Sequence, residues 1–221
     1  MSEPAALQHT AVVDLLALLA YGELQAFDQM AADARLAPDL HRRAVLSEMA
    51  AAEIVNYRRL AGRLADLGAD VEAAMRPFVG ALAEYHDQTA PKDWLEALTK
   101  AYVGDGIADD FYREVALRLA APDRELVLDV LHDTRYADFA AEEIRGAIGA
   151  DPKVANRLSM WARRLVGEGL SQAQRVAAER PSLALLLVGG GSAEDDDDLG
   201  DLFKRLTTAH TARMAVVGLN N

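Results

Sequence analysis

The sequence predicts an all-α protein built from long helices. Apolar residues recur at steps of three, four and seven along most of the chain, as they do on the buried face of a helix. The sequence has no alternating segments of strand length, and short turns that contain Pro or Gly separate the helical patterns. Residues 1–180 are therefore predicted to form one helical bundle with its own core.

Composition limits the classes of function and location. The 221 residues include no Cys, which excludes disulfides, thiolate metal sites and cysteine nucleophiles. The formal net charge of −12 disfavours nucleic acid as a partner, because nucleic-acid binding relies on clustered Lys and Arg. No apolar run approaches the ~20 residues that span a bilayer, and residues 1–4 lack the basic start of a signal peptide. We therefore expect a cytoplasmic protein without a membrane segment.

The first two predicted helices, about residues 8–34 and 38–67, each carry an acid in their apolar stripe. Glu23 lies in the apolar row of the first helix, and Glu53 lies in that of the second. Gly68 is placed to end the second helix. The two helices are therefore predicted to form a hairpin with two inward carboxylates.

The later helices repeat this arrangement, and they are predicted at about residues 71–87, 92–121, 123–148 and 152–179. The shortest of them contains Pro77, where we expect a kink or break. Asp105 and Asp133 lie in the apolar stripes of the next two helices, and the last helix has no inward acid.

The spacing of the four acids is similar in the two hairpins. Glu53 follows Glu23 by 30 positions, and Asp133 follows Asp105 by 28. Such hairpins bring four carboxylates to a similar level inside one bundle. Burying an unpaired charge costs several kcal/mol or more, so these acids are expected to be neutralised, hydrogen-bonded, ion-paired or bound to a metal.

The segments Glu53–Tyr57 (EIVNY) and Asp133–Tyr136 (DTRY), with the hairpin spacings, resemble the ferritin-like superfamily. Within it, the chain looks most like the branch related to bacterial tRNA hydroxylases that act on 2-methylthio-isopentenyladenosine. The resemblance implies a ferritin-like four-helix bundle with additional helices and a centre for two iron ions or another divalent metal. The metal ligands that it implies are Glu23, Glu53, Asn56, Asp105, Asp133 and Tyr136.

Asn56 and Tyr136 stand where the family has its two histidines. An Asn carbonyl is a much weaker ligand for iron than imidazole, and a Tyr binds well only when deprotonated. Two alternatives stay open. Asp109 lies one turn after the predicted acid of the third long helix, and Asp129 with His132 forms a literal acid-x-x-His pair one turn earlier on the fourth.

These features lead to two hypotheses about function, and the sequence leaves open whether the protein is an enzyme. In the first, a non-haem di-metal oxidase or hydroxylase uses iron to activate oxygen and hydroxylates an organic substrate, either a small molecule or a modified base. In the second, a metal-free bundle keeps the degenerate site as a buried hydrogen-bond network and acts in protein–protein interaction.

The end of the chain is predicted to separate from the bundle. Residues 181–198 are predicted as a flexible, acidic linker rich in Gly and Asp, and residues 199–221 as a C-terminal amphipathic helix. Such a helix covers its own bundle or docks onto a partner subunit. It is therefore our candidate for the contact of a homodimer.

Overall fold

The computed structural model describes residues 3–188 and 194–220, and it contains helices without strands in this part of the chain. The predicted all-α fold is confirmed. The α-helices are α1 (Glu3–Asp33), α2 (Leu40–Asp66), α3 (Val71–Met75), α4 (Val79–Gln88), α5 (Trp94–Lys100), α6 (Gly106–Ala116), α7 (Ala121–Val130), α8 (Arg135–Ala150), α9 (Lys153–Glu179), α10 (Pro181–Val188) and α11 (Glu194–Val216).

Helices α1 and α2 pack along each other as the predicted hairpin. Asp39 caps α2, because its carboxylate accepts a hydrogen bond of 2.9 Å from the backbone N–H of Arg42. After α2, Gly68 has a φ of 77°, a left-handed conformation that Gly adopts without steric cost. The predicted boundaries of α2 therefore hold within two residues.

The predicted break at Pro77 is confirmed. Pro77 lies in a 3-10 turn, Arg76–Phe78, between α3 and α4. Pro cannot donate a backbone hydrogen bond, so the α-helix does not continue through it. The side chain of Phe78 is fully buried and anchors this turn in the core.

The third long helix contains a π turn and ends earlier than predicted, at Ala116 instead of residue 121. A π turn, Ala101–Asp105, joins α5 to α6, and α6 ends at Ala116. A Cβ on Gly104 would lie 2.7 Å from the Tyr85 hydroxyl, so Gly lets that ring pack directly against the π turn. π turns are frequent at functional sites because they change the direction of side chains.

The predicted helix over residues 123–148 was also wrong, because the chain turns between α7 and α8. Side chains form hydrogen bonds with backbone groups that would otherwise continue α7. Arg113 donates to the Leu131 carbonyl, and Asp133 accepts from the backbone N–H of Arg135. Local bonds of this kind compete with helical hydrogen bonds. The hydrophobic periodicity continues across the break, so it did not reveal the turn.

Helix α11 packs onto its own bundle. Met214, Val217 and Leu219 are buried in one core cluster with Leu98 of α5 and Leu158 of α9. The segment predicted as a linker, residues 181–198, contains α10 at its start and the first turn of α11 at its end. Residues 189–193 lie outside the described part of the chain.

One described stretch, Ala6–Leu36, is long and apolar enough to cross a membrane by length and composition, although no membrane segment was predicted. Half of its most apolar window is buried inside the fold, and α1 packs against α2, α3 and α10. The core helix of a soluble protein passes the same test.

Candidate functional site

Glu23 of α1 and Glu53 of α2 meet inside the first hairpin. Glu23 is 7% exposed, and the two carboxyl groups hydrogen-bond to each other. The Asn56 side-chain amide, one turn after Glu53, donates to Glu23 Oε2 and to the Val130 carbonyl, each at 3.5 Å. Burial raises the pKa of Glu23 well above its usual range, and the hydrogen bond to Glu53 and its charge raise it further. Glu23 is therefore protonated at neutral pH, and its carboxyl group can donate a hydrogen bond to Glu53.

Two more carboxyl groups come from the third long helix: Asp105 ends the π turn, and Asp109 follows on α6. Burial raises the pKa of Asp105 well above its usual range, and the charges of Asp109 and Glu53 add to the shift. Burial raises the pKa of Asp109 to about 6, although Arg113 opposes the shift. We call Glu23, Glu53, Asp105 and Asp109 the acid cluster.

Asp105 and Ala108 retain solvent-accessible surface, so this end of the acid cluster is open to solvent although the surrounding protein raises the pKa of Asp105.

Tyr112 of α6 and Tyr136 of α8 lie near the acid cluster. Burial raises the pKa of Tyr112, and the charges of Glu23 and Asp109 raise it further. Burial raises the pKa of Tyr136 as well, with Asp105 as the next cause. Both side chains are therefore neutral phenols. The Tyr136 hydroxyl is buried and has no hydrogen-bond partner among the residues that the structure describes.

Asp133 does not join the acid cluster. It lies in the exposed turn between α7 and α8, where the Arg135 guanidinium binds its carboxylate with contacts of 2.5–3.0 Å. The hydrogen bonds from the Arg135 side chain lower the pKa of Asp133. The alternative acid-x-x-His pair also points outward, since Asp129 pairs with Arg59 and His132 is exposed.

The structure thus brings together five of the six sequence-predicted ligands, Glu23, Glu53, Asn56, Asp105 and Tyr136, and adds the alternative Asp109.

Sequence reasoning missed two charged residues beside this cluster. Asp33 at the end of α1 and Lys100 at the end of α5 are both buried. Burial raises the pKa of Asp33 to about 6, although the positive charge of Lys100 opposes the shift. The only sequence signal was the rarity of Lys in a chain whose cations are mostly Arg.

The donor set does not fit a di-iron centre. The acid cluster includes no imidazole, and the nearest groups at the two histidine positions are an amide and a neutral phenol. Across the described residues, no three His, Cys, Asp or Glu side chains are arranged to hold a metal ion. Glu23 and Glu53 hydrogen-bond to each other instead of presenting two free carboxylates.

Comparison with known proteins supports the fold. No curated protein matches this chain significantly. The model of one protein family, described as a ferritin-like domain of actinomycetes, matches residues 7–190. This match covers most of α1 and all of α2 to α10, and it agrees with the all-α bundle. The chain therefore belongs to the ferritin-like domain family of actinomycetes.

Proposed function

We propose that this protein is a ferritin-like bundle that works without a metal ion, and that its role is protein–protein interaction. The observation that carries the proposal is the hydrogen bonding between Glu23 and Glu53, with Asn56 donating to the same pair. The buried carboxyl group of Glu23 is protonated and hydrogen-bonded to a carboxyl group and an amide, so it does not need a metal ion to compensate a buried charge.

An oxidase or hydroxylase would need more from these residues. Di-iron carboxylate bundles combine four carboxylates with two histidines on facing helices. Here the phenol of Tyr136 replaces one imidazole, and Arg135 holds Asp133 in an exposed turn. We therefore assign no oxygen chemistry to the acid cluster.

The surface that we propose for interaction is the outer face of α11, and its proposed partner is a second copy of this chain. This face carries Asp201, Lys204, Ala212 and Val216, and Val216 is 56% exposed. A shallow groove of about 510 Å³ runs along it. In a two-fold contact, Asp201 of each copy can meet Lys204 of the other while the small and apolar side chains pack between them.

The first experiment tests the absence of metal. The wild-type protein is incubated anaerobically with ferrous iron, desalted and analysed by plasma mass spectrometry. We expect substoichiometric iron. The variant N56H/Y136H is the positive control, because it restores two imidazoles beside the acid cluster. Stoichiometric iron in the wild type that is lost in Glu53→Ala would refute the proposal.

The second experiment tests the surface. Sedimentation velocity over a range of concentrations is expected to show a reversible dimer that Val216→Glu shifts toward monomer. Leu40→Glu, at an even more exposed apolar residue at the start of α2, is the control and is expected to leave the dimer unchanged. A wild type that stays monomeric at the highest concentration rules out self-association.

A further inference from the structure

The turn between α1 and α2 presents two exposed leucines. Leu40, the first residue of α2, is 81% exposed, more than any other large apolar residue that the structure describes. Leu36, at the end of the 3-10 turn that follows α1, is 38% exposed, and Pro38 between the two leucines is also exposed. A side chain with four-fifths of its surface free has little protein beside it, so Leu40 protrudes from this end of the hairpin.

Arginines flank the two leucines. A single exposed apolar residue is common on protein surfaces and needs no explanation. This turn, however, also carries Arg35, Arg42 and Arg43. The chain as a whole has a net charge of −12, so a turn with three cations is a local exception. Its surface combines positive charge with apolar side chains.

The carboxylates of this turn are already bound. Arg42 pairs with Asp39 at 2.5 Å and with Glu143 of α8 at 2.6 Å. Arg35 and Arg43 are exposed, and neither of them is held in an ion pair within the part of the chain that the structure describes. These two guanidinium groups are therefore available to an anionic partner.

The acid before the turn does not cancel this charge at the surface. Asp33, the last residue of α1, is 6% exposed, and the positive charge of the buried Lys100 acts on it. Its carboxyl group is thus enclosed by the bundle, whereas the arginines of the turn are in solvent.

This combination fits the surface of a membrane that contains anionic lipid. Lipid phosphates attract arginines, and the layer beneath them accepts apolar side chains. A nucleic acid would bind the arginines but leave Leu40 in water. Charges act over only about 8 Å at physiological salt, so the acidic remainder of the chain does not prevent a contact made by this turn.

We propose that the α1–α2 turn is a docking surface for anionic lipid headgroups. Leu36 and Leu40 enter the interface between headgroups and acyl chains, and Arg35 and Arg43 contact lipid phosphates. Two leucines and two cations give weak and reversible binding, not a permanent anchor. The surface belongs to α1 and α2, so it does not depend on the proposed self-association through α11.

The test measures how much of the intact wild-type protein sediments with lipid vesicles. One set of vesicles contains phosphatidylglycerol and phosphatidylcholine in equal parts, and the other contains phosphatidylcholine alone. Binding is expected to be stronger to the anionic set and to weaken as the salt concentration rises. Equal binding to both sets would overturn the proposal. Absence of binding to the anionic set would also overturn it, and would favour an acidic protein as the partner of this turn.

Variants of exposed residues locate the contact on the protein. Leu40→Ser is expected to weaken binding to the anionic vesicles roughly tenfold, and Arg43→Glu at least about tenfold. Val55→Ser and Arg58→Glu are the matched controls, because they make the same changes at exposed positions of α2, about 20 Å or more further along the helix. The controls are expected to bind like wild type, and equal losses in controls and turn variants would overturn the proposal.

A fluorescent reporter tests whether the turn enters the lipid. The two native tryptophans, Trp94 and Trp161, are each 9% exposed, so the indole that Leu40→Trp adds would be the exposed fluorophore. Anionic vesicles are expected to shift its emission to shorter wavelength and to leave the emission of Val55→Trp unchanged. An unshifted spectrum of Leu40→Trp on bound vesicles would show that the turn stays in water, which contradicts the proposal.

Discussion

The carboxyl group of Glu23 is hydrogen-bonded to that of Glu53 on the neighbouring helix. The same Glu23 accepts a hydrogen bond from Asn56. Burial and the neighbouring Glu53 raise the pKa of Glu23, so Glu23 is uncharged at neutral pH and its hydrogen bond to Glu53 joins α1 to α2.

This pair predicts a contrast between two substitutions at one position. Gln has the shape of a protonated Glu side chain and is also uncharged. Glu23→Gln should therefore change the free energy of unfolding at pH 7 by less than about 1 kcal/mol. Glu23→Ala leaves Glu53 and Asn56 without their partner, and it should cost about 1–3 kcal/mol. Urea unfolding monitored by circular dichroism measures both. Equal costs for Gln and Ala would mean that Glu23 is ionised in the folded protein.

Asp33 predicts a loss of stability as the pH rises. Burial raises its pKa to about 6, so the folded state binds its proton more tightly than the unfolded state does. This stability contribution is fully present below about pH 4 and is lost as the pH rises through about 6. Asp33→Asn should therefore be more stable than wild type at pH 7, by about 1–3 kcal/mol, and the difference should shrink toward pH 4. Urea midpoints between pH 4 and 7 check this.

Asp28→Asn is the matched control for this experiment, because Asp28 is an exposed acid on the same helix. Its difference from wild type should be small and flat with pH. A flat profile for Asp33→Asn as well would show that the folded environment of Asp33 does not favour its proton.

The stability lost by replacing Gly104 is predicted to be recovered by a second substitution, at Tyr85. A Cβ there would lie 2.7 Å from the Tyr85 hydroxyl, so Gly104→Ala should cost about 1–3 kcal/mol through overpacking. Adding Tyr85→Phe removes the colliding oxygen and should recover most of the loss. Gly22→Ala has open space and should instead stabilise α1 by up to about 1 kcal/mol. Thermal unfolding compares the four proteins, and a double variant no better than Gly104→Ala would contradict the collision.

Replacement of Arg213 is predicted to make α11 open locally. Its guanidinium lies against Gly106 and pairs with Asp110 at 2.6 Å in a partly buried position. Arg213→Ala should leave Asp110 unpaired, cost about 1–3 kcal/mol and speed hydrogen exchange in α11. Arg205→Ala removes a more exposed ion pair with Glu114 and should cost at most about 1 kcal/mol. Exchange rates that rise equally in both variants would argue against a special role for Arg213.

Periodicity in the sequence was enough to predict where most acids point. Glu23, Glu53 and Asp105 lie in apolar stripes, and the structure brings all three into one cluster, although Asp105 keeps an exposed side chain. The same reasoning was wrong for Asp133, because the chain turns before this residue and Arg135 binds its carboxylate at the surface. Periodicity describes a face only while the helix continues.

The surroundings of Lys100 could not be predicted in this way. Its burial depends on the π turn that follows and on Tyr85, which reaches it from a different helix. Both are tertiary features that arise from packing between distant segments, and neither has a pattern within one helix.

Residues that follow α11 complete part of the core. Val217 and Leu219 are buried, and the backbone N–H of Asn220 donates to the Ser159 hydroxyl at 2.9 Å. Removal of residues 217–220 would therefore uncover the core cluster that includes Leu98 of α5 and Leu158 of α9. A protein shortened in this way should expose a new apolar patch and aggregate more readily.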